Sequence, residues 1–223
     1  MVINTHFKFI FVHIPKAAGT SVMKSLDELR GNERSWLAST KHETLSEFYS
    51  NARSRSSLVD GFFTDYFTFG FVRNPWDRMA SFYRFLVEKR PKDEIDTVAN
   101  FKDFLIQAND GVRWIQDLHS MRSQLDYFTL PNGRMQLDFL GHYEFLNEDF
   151  LSVMDRLKCT ASLRHANRSS NNSSDYRKPF DDSMIEIVGE RFSEEIDLFG
   201  YVFDQAMPMK RISASFDLIR PED

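Results

Sequence analysis

Apolar and polar positions follow two rhythms along this chain. Phe7-Lys8-Phe9-Ile10-Phe11-Val12, Tyr66-Phe67-Thr68-Phe69-Gly70-Phe71-Val72 and Asp138-Phe139-Leu140-Gly141-His142-Tyr143 are short apolar runs rich in β-forming residues, and each predicts a buried strand. Elsewhere the apolar residues recur at helical spacing. Val22, Met23, Leu26 and Leu29 form one stripe. Phe150, Leu151, Val153, Met154 and Leu157 form another within 147–157, and Met184, Ile187, Val188, Phe192 and Ile196 a third within 182–199.

Punctuation sharpens these boundaries. Pro75 fits the first turn of a helix over 75–88, where a missing N–H costs little. Thr44 and Glu47 have the spacing of a capping box for a helix over 44–52. Gly200 suits the C-terminal cap of the 182–199 helix. Further helices are expected over 101–107 and 110–118, and a short strand over 34–39. The polar stretches 54–60, 90–96 and 164–178 predict loops. Strands interleaved with helices indicate an α/β fold with a central, mainly parallel sheet flanked by helices. In such sheets ligands bind beyond the carboxyl ends of the strands.

Composition adds bounds. With 223 residues, 42% hydrophobic and 27% charged, the chain suits a single domain, 1–223, with its core at about 7–203. Its 22 phenylalanines predict an aromatic core. A net charge of -5 argues against a broad nucleic-acid surface but leaves room for a local basic pocket. Cys159 is the only cysteine, so neither an internal disulfide nor a cysteine-rich metal site is expected. No apolar run reaches the ~20 residues that span a bilayer, and no signal-peptide pattern is seen. A cytoplasmic protein without a membrane span is the expectation.

Two motifs carry chemistry. Lys16-Ala17-Ala18-Gly19-Thr20-Ser21 lies between the first predicted strand and a helix. Backbone N–H groups converge at a helix start, and the helix dipole favours an anion there. Gly19 admits close approach, Thr20 and Ser21 add hydroxyls, and Lys16 adds a mobile cation. An ordinary strand–helix turn would look similar, so this segment alone is ambiguous. It is not a Walker A loop, because the lysine precedes the glycine and the first glycine is missing. The second motif follows the next strand. Arg73 offers a planar fork to phosphate oxygens and Ser81 lies eight positions on. The bland alternatives are a structural salt bridge for Arg73, pairing with Asp77 or another carboxylate for Arg78, and core packing for Trp76 and Tyr83.

Together, His13-Ile14-Pro15-Lys16-Ala17-Ala18-Gly19-Thr20-Ser21 and Phe71-Val72-Arg73-Asn74-Pro75-Trp76-Asp77-Arg78 with Ser81 and Tyr83 resemble the two nucleotide motifs of the sulfotransferases. These enzymes use 3′-phosphoadenosine-5′-phosphosulfate (PAPS), and the likeness is to the branch of carbohydrate and heparan 2-O-sulfotransferases. Asp138 to Glu144 with Glu148-Asp149-Phe150, His165 to Ser169 and Asp197 to Tyr201 extend the resemblance over most of 7–203. It implies a P-loop-like three-layer fold and sulfuryl transfer to a hydroxyl or amine of a small molecule or glycan. It assigns the 5′-phosphosulfate to Lys16, Ala17, Ala18, Gly19, Thr20 and Ser21, and the 3′-phosphate to Arg73 and Ser81. The 164–178 loop, with Arg168, Arg177 or Lys178, would close over the nucleotide.

The acceptor needs a base. Related enzymes carry a histidine or glutamate in the part of the chain where His42 stands, which makes His42 the candidate, with Lys16 stabilising the leaving oxygen. His13 and Glu43 are the alternatives, and His13 is expected to pack rather than react. No metal cluster is seen, and none is expected in the reaction. Two other readings remain open. One is a nucleotide or nucleoside kinase with a degenerate phosphate loop; the other is a non-catalytic module that binds PAPS or its bisphosphate product.

Overall fold

The computed structural model describes residues 1–30, 36–38, 41–53, 65–89, 92–163, 175–205 and 207–209. The predicted loop over 54–60, the larger part of that over 164–178 (with His165 and Arg168), and the ends of the predicted 34–39 strand lie outside the described residues. The chain forms two compact units, one from residues 1–72 with 124–163, the other from 73–123 with 175–209.

The first unit is built on a five-stranded sheet. The strands are β1 (Val2–Asn4), β2 (Phe9–Val12), β3 (Trp36–Ala38), β4 (Phe67–Val72) and β5 (Phe139–His142), in the order β3-β1-β2-β4-β5. β4 pairs in parallel with β2 and with β5, while β1 joins β2 and β3 antiparallel toward the other edge. Val12 sits opposite Gly70, and Val72 opposite His142, so β2, β4 and β5 end along the same edge. The predicted parallel core is therefore present, extended by an antiparallel hairpin. That hairpin turns on Asn4, whose Oδ1 accepts the amides of His6 and Phe7 at 3.0 and 2.9 Å. Lys8 then takes a left-handed φ of 49°, and so β2 starts at Phe9 rather than Phe7.

Residues alternate between the faces of a strand. Phe9, Phe11, Phe69 and Phe71 share one face and pack with Val22 and Leu26 of α1 (Gly19–Leu26) and with Phe150, Val153 and Met154 of α7 (Leu146–Arg156). On the other face Gly70 meets the ring of Phe128, where a Cβ would lie 2.6 Å from the ring edge. Phe128 belongs to the helical turn Leu125–Phe128, against which α2 (Leu45–Arg53) rests. This gives helices, sheet and helices in three layers, the P-loop-like α/β arrangement. The capping box forms as spaced: Thr44 N–H donates to Glu47 Oε2 at 2.9 Å, and Glu47 N–H to Thr44 Oγ1 at 3.1 Å.

The second unit is helical: α3 (Pro75–Lys89), α4 (Lys92–Ile95), α5 (Phe101–Asn109), α6 (Arg113–Gln116), α8 (Asp182–Arg191) and α9 (Ser193–Phe199). The helix expected over 182–199 breaks at Phe192, whose φ of -116° leaves the helical range. Its ring lies 4.8 Å under the Arg78 guanidinium. Gly200 caps α9 with a φ of 68°, as its position suggested. Within 110–118 only Arg113–Gln116 is helical, because the chain turns at Gly111 with a φ of 79°. A short helix, α4, occupies part of the expected 90–96 loop.

Candidate active site

The segment leaving β2 is bent into an unusual shape. Lys16 and Ala18 both adopt left-handed backbone, with φ of 67° and 60°. Ala17 between them does not, and an alternation of hand is the kind of backbone that can turn successive N–H groups toward one side. A side-chain-bearing residue held this way costs roughly 1–2 kcal/mol. Ala18 caps α1, its carbonyl accepting from Ser21 and Val22 at 2.9 and 3.2 Å.

His13 explains the glycine in this loop. Its ring fills the place where a side chain at 19 would begin: a Cβ on Gly19 would sit 1.9 Å from His13 Cδ2. The ring is 2% exposed, contacts Met23 Sδ at 3.0 Å through Nδ1, and stacks on Phe11 at a centroid distance of 5.9 Å. Burial pushes the imidazole down to about 2, with His42 and Lys41 adding to the effect. His13 thus packs as an uncharged ring.

This burial has a consequence for stability. In the unfolded chain a histidine titrates near 6.5, so between that value and about 2 only the unfolded state takes up the proton. Stability is complete above about pH 6.5 and declines below it by up to about 1.4 kcal/mol per pH unit. Denaturant unfolding at pH 7 and pH 5 should show the wild type losing about 2 kcal/mol more than His13→Asn over that interval. Parallel losses in the two proteins would contradict it.

His42 stands beside this ring. Its centroid lies 4.7 Å from that of His13, edge to face, and its Nδ1 is 3.3 Å from the His13 carbonyl. A carbonyl only accepts, so Nδ1 carries the proton and Nε2 is left as the basic nitrogen of the ring. Next to it, the Lys41 ammonium reaches Thr20 Oγ1 at 3.2 Å. Sequence reasoning named Lys16, Ala17, Ala18, Gly19, Thr20, Ser21 and His42, and the structure gathers these around one loop. It missed Lys41, because contact across 21 positions is a property of the fold. Glu43, the fallback base, is buried, with Oε1 accepting from Asn51 Nδ2 at 2.8 Å.

Arg73 and Ser81 belong to the second unit. Arg73 follows β4 directly and pairs with Asp77, Nε to Oδ2 at 2.8 Å. Arg78 pairs with Glu195, and both side chains are fully buried. Ser81 is half-buried on α3. Trp76 packs in the core as expected, its Nε1 donating to the Ile185 carbonyl at 3.0 Å, and Tyr83 stacks on Phe101. Asn74, which sequence reasoning passed over, caps α3: its Oδ1 accepts from the Trp76 and Asp77 amides at 3.1 and 3.4 Å, and its Nδ2 donates to Tyr176 Oη at 3.3 Å. An asparagine directly before a helix-starting proline was the signal. Arg177 is engaged by Asp175, Nε to Oδ1 at 2.7 Å, and donates to the Asp204 carbonyl.

The profile of the Sulfotransferase family matches residues 1–202 of this chain. The chain belongs to the sulfotransferase family. An uncharacterised protein of Archaeoglobus fulgidus is 34% identical over 103 residues, which is 46% of this chain and 77% of that protein. No solved structure matches the chain. Membership makes this sulfotransferase an enzyme of sulfuryl transfer with an acceptor substrate, and implies a donor of the PAPS type. Among the described residues no helix is long and apolar enough to cross a membrane, and no group of three or more His, Cys, Asp or Glu could hold a metal ion.

Proposed function

We propose that this sulfotransferase moves the sulfuryl group of PAPS onto a hydroxyl or amine of a small molecule or glycan, with His42 as base. One observation supports this above the others. The bond from His42 Nδ1 to the His13 carbonyl favours the tautomer in which Nε2 is basic, near a loop whose backbone turns left-handed at Lys16 and Ala18. The donor is a substrate that brings an activated sulfur–oxygen bond. Nε2 of His42 takes the acceptor proton as the acceptor oxygen or nitrogen attacks sulfur in line. The bond from sulfur to the bridging oxygen breaks, and 3′,5′-bisphosphoadenosine leaves. The loop amides of 17–20 and the ammonium of Lys16 stabilise negative charge that grows on the sulfuryl and bridging oxygens, the group of effects that dominates such transfers. By the family resemblance, Arg73 and Ser81 bind the 3′-phosphate, the group that separates PAPS from ATP.

The test is a thermal-shift comparison followed by transfer of radiolabelled sulfate from PAPS to an acceptor library. PAPS and the bisphosphate should raise the melting temperature while ATP with Mg²⁺ should not, and Lys16→Ala should abolish transfer. Stabilisation by ATP–Mg²⁺ alone would turn the reading toward a kinase. Binding of PAPS without transfer to any acceptor would favour a non-catalytic module.

A further inference from the structure

We propose that Lys41 is a second cation of the donor site, binding the 5′ end of PAPS together with Thr20. This rests on the sulfuryl-donor reading above and deepens it. The Lys41 ammonium contacts Thr20 Oγ1 at 3.2 Å. An ammonium has donors and no acceptor, so the hydroxyl oxygen accepts in this bond and the hydroxyl proton is directed elsewhere. Thr20 stands in the first turn of α1, where the peptide dipoles carry positive potential. A hydroxyl that accepts from a cation becomes a better donor to an anion, so Lys41 strengthens Thr20 as well as adding its own charge.

Lys41 arrives from a segment other than the loop it touches. The adjacent residue, His42, bonds the His13 carbonyl. One short stretch therefore delivers the base and a cation side by side: the base faces the acceptor proton, and the cation faces the group that receives the charge. Lys41 is solvent-exposed, and an exposed bond of this kind adds little to stability. Its removal therefore leaves the fold intact.

Three probes separate the outcomes: PAPS, 3′,5′-bisphosphoadenosine and adenosine 3′-phosphate, which lacks the 5′ group. Titration calorimetry should show Lys41→Met weakening the first two by roughly tenfold or more and leaving the third unchanged. Lys41→Arg should retain most of the affinity. In a double-mutant cycle with Thr20→Val, the two losses should fall short of additivity, because both changes remove the same assembly. Affinities of Lys41→Met for PAPS and the bisphosphate within twofold of wild type would overturn the proposal while the donor reading stands. So would an equal loss for adenosine 3′-phosphate, which would place the effect away from the 5′ end. Failure of the wild type to bind any of the three would remove the donor reading, and the role of Lys41 with it.

Discussion

His42→Ala should lower sulfuryl-transfer turnover by about a hundredfold to ten-thousandfold, the usual worth of a positioned general base. Donor affinity should stay within twofold of wild type. The imidazole bonds backbone at His13 through Nδ1 and is proposed to face the acceptor, so its loss removes a proton sink and not an anion contact. The acid limb that a base imposes on the pH–rate profile should disappear with it. His42→Gln should fare no better, because an amide keeps the bond to the His13 carbonyl but cannot take a proton. Steady-state rates and PAPS binding measured on the same preparations decide the matter. Unchanged turnover would move the base to another residue, Glu43 being next in line.

The second large effect concerns stability. Arg78 and Glu195 are both 0% exposed, and the guanidinium also donates to the carbonyls of Ser120 and Arg122 at 3.1 and 3.2 Å. Glu195 in turn accepts from Ser123 Oγ at 2.9 Å. Arg78→Met leaves a carboxylate in the interior without its counter-charge and removes the donors of two carbonyls, so a loss of about 3–5 kcal/mol is expected. In urea that is a midpoint shift of roughly 1 M or more. Pairing Arg78→Met with Glu195→Leu should recover part of the loss, because the stranded charge is then gone. Arg78→Lys should recover little, since a point charge cannot span the carbonyls and the carboxylate as the planar fork does. A midpoint for Arg78→Met equal to wild type would show that the network is not structural.

The legible parts of this molecule were those with local causes. The cores of β2, β4 and β5 announced themselves as apolar runs, and α2 through the reciprocal Thr44–Glu47 cap. The loop proposed to hold the donor was legible as a residue set, and the resemblance marked His42. What stayed hidden has distant causes. β1 is only three residues long, too short to show alternation, and is held by pairing on both sides. Arg78 finds its carboxylate, Glu195, 117 positions away, and only the fold decides which carboxylate that is. The interruption at Phe192 goes with the cation over its ring, which periodicity cannot register. Asn74 could have been found, but its bond to Tyr176 crosses 102 positions.

The left-handed turns at Lys16 and Ala18 bear on how such an enzyme diversifies. On the proposed donor role, recognition there is written in peptide groups, which every residue type possesses, so exchanging one small side chain for another at 17 or 18 should leave the donor chemistry standing while the hand of the backbone persists. Under that proposal, descendants that keep the turn would be free to drift toward new acceptors without relearning how to hold an anion.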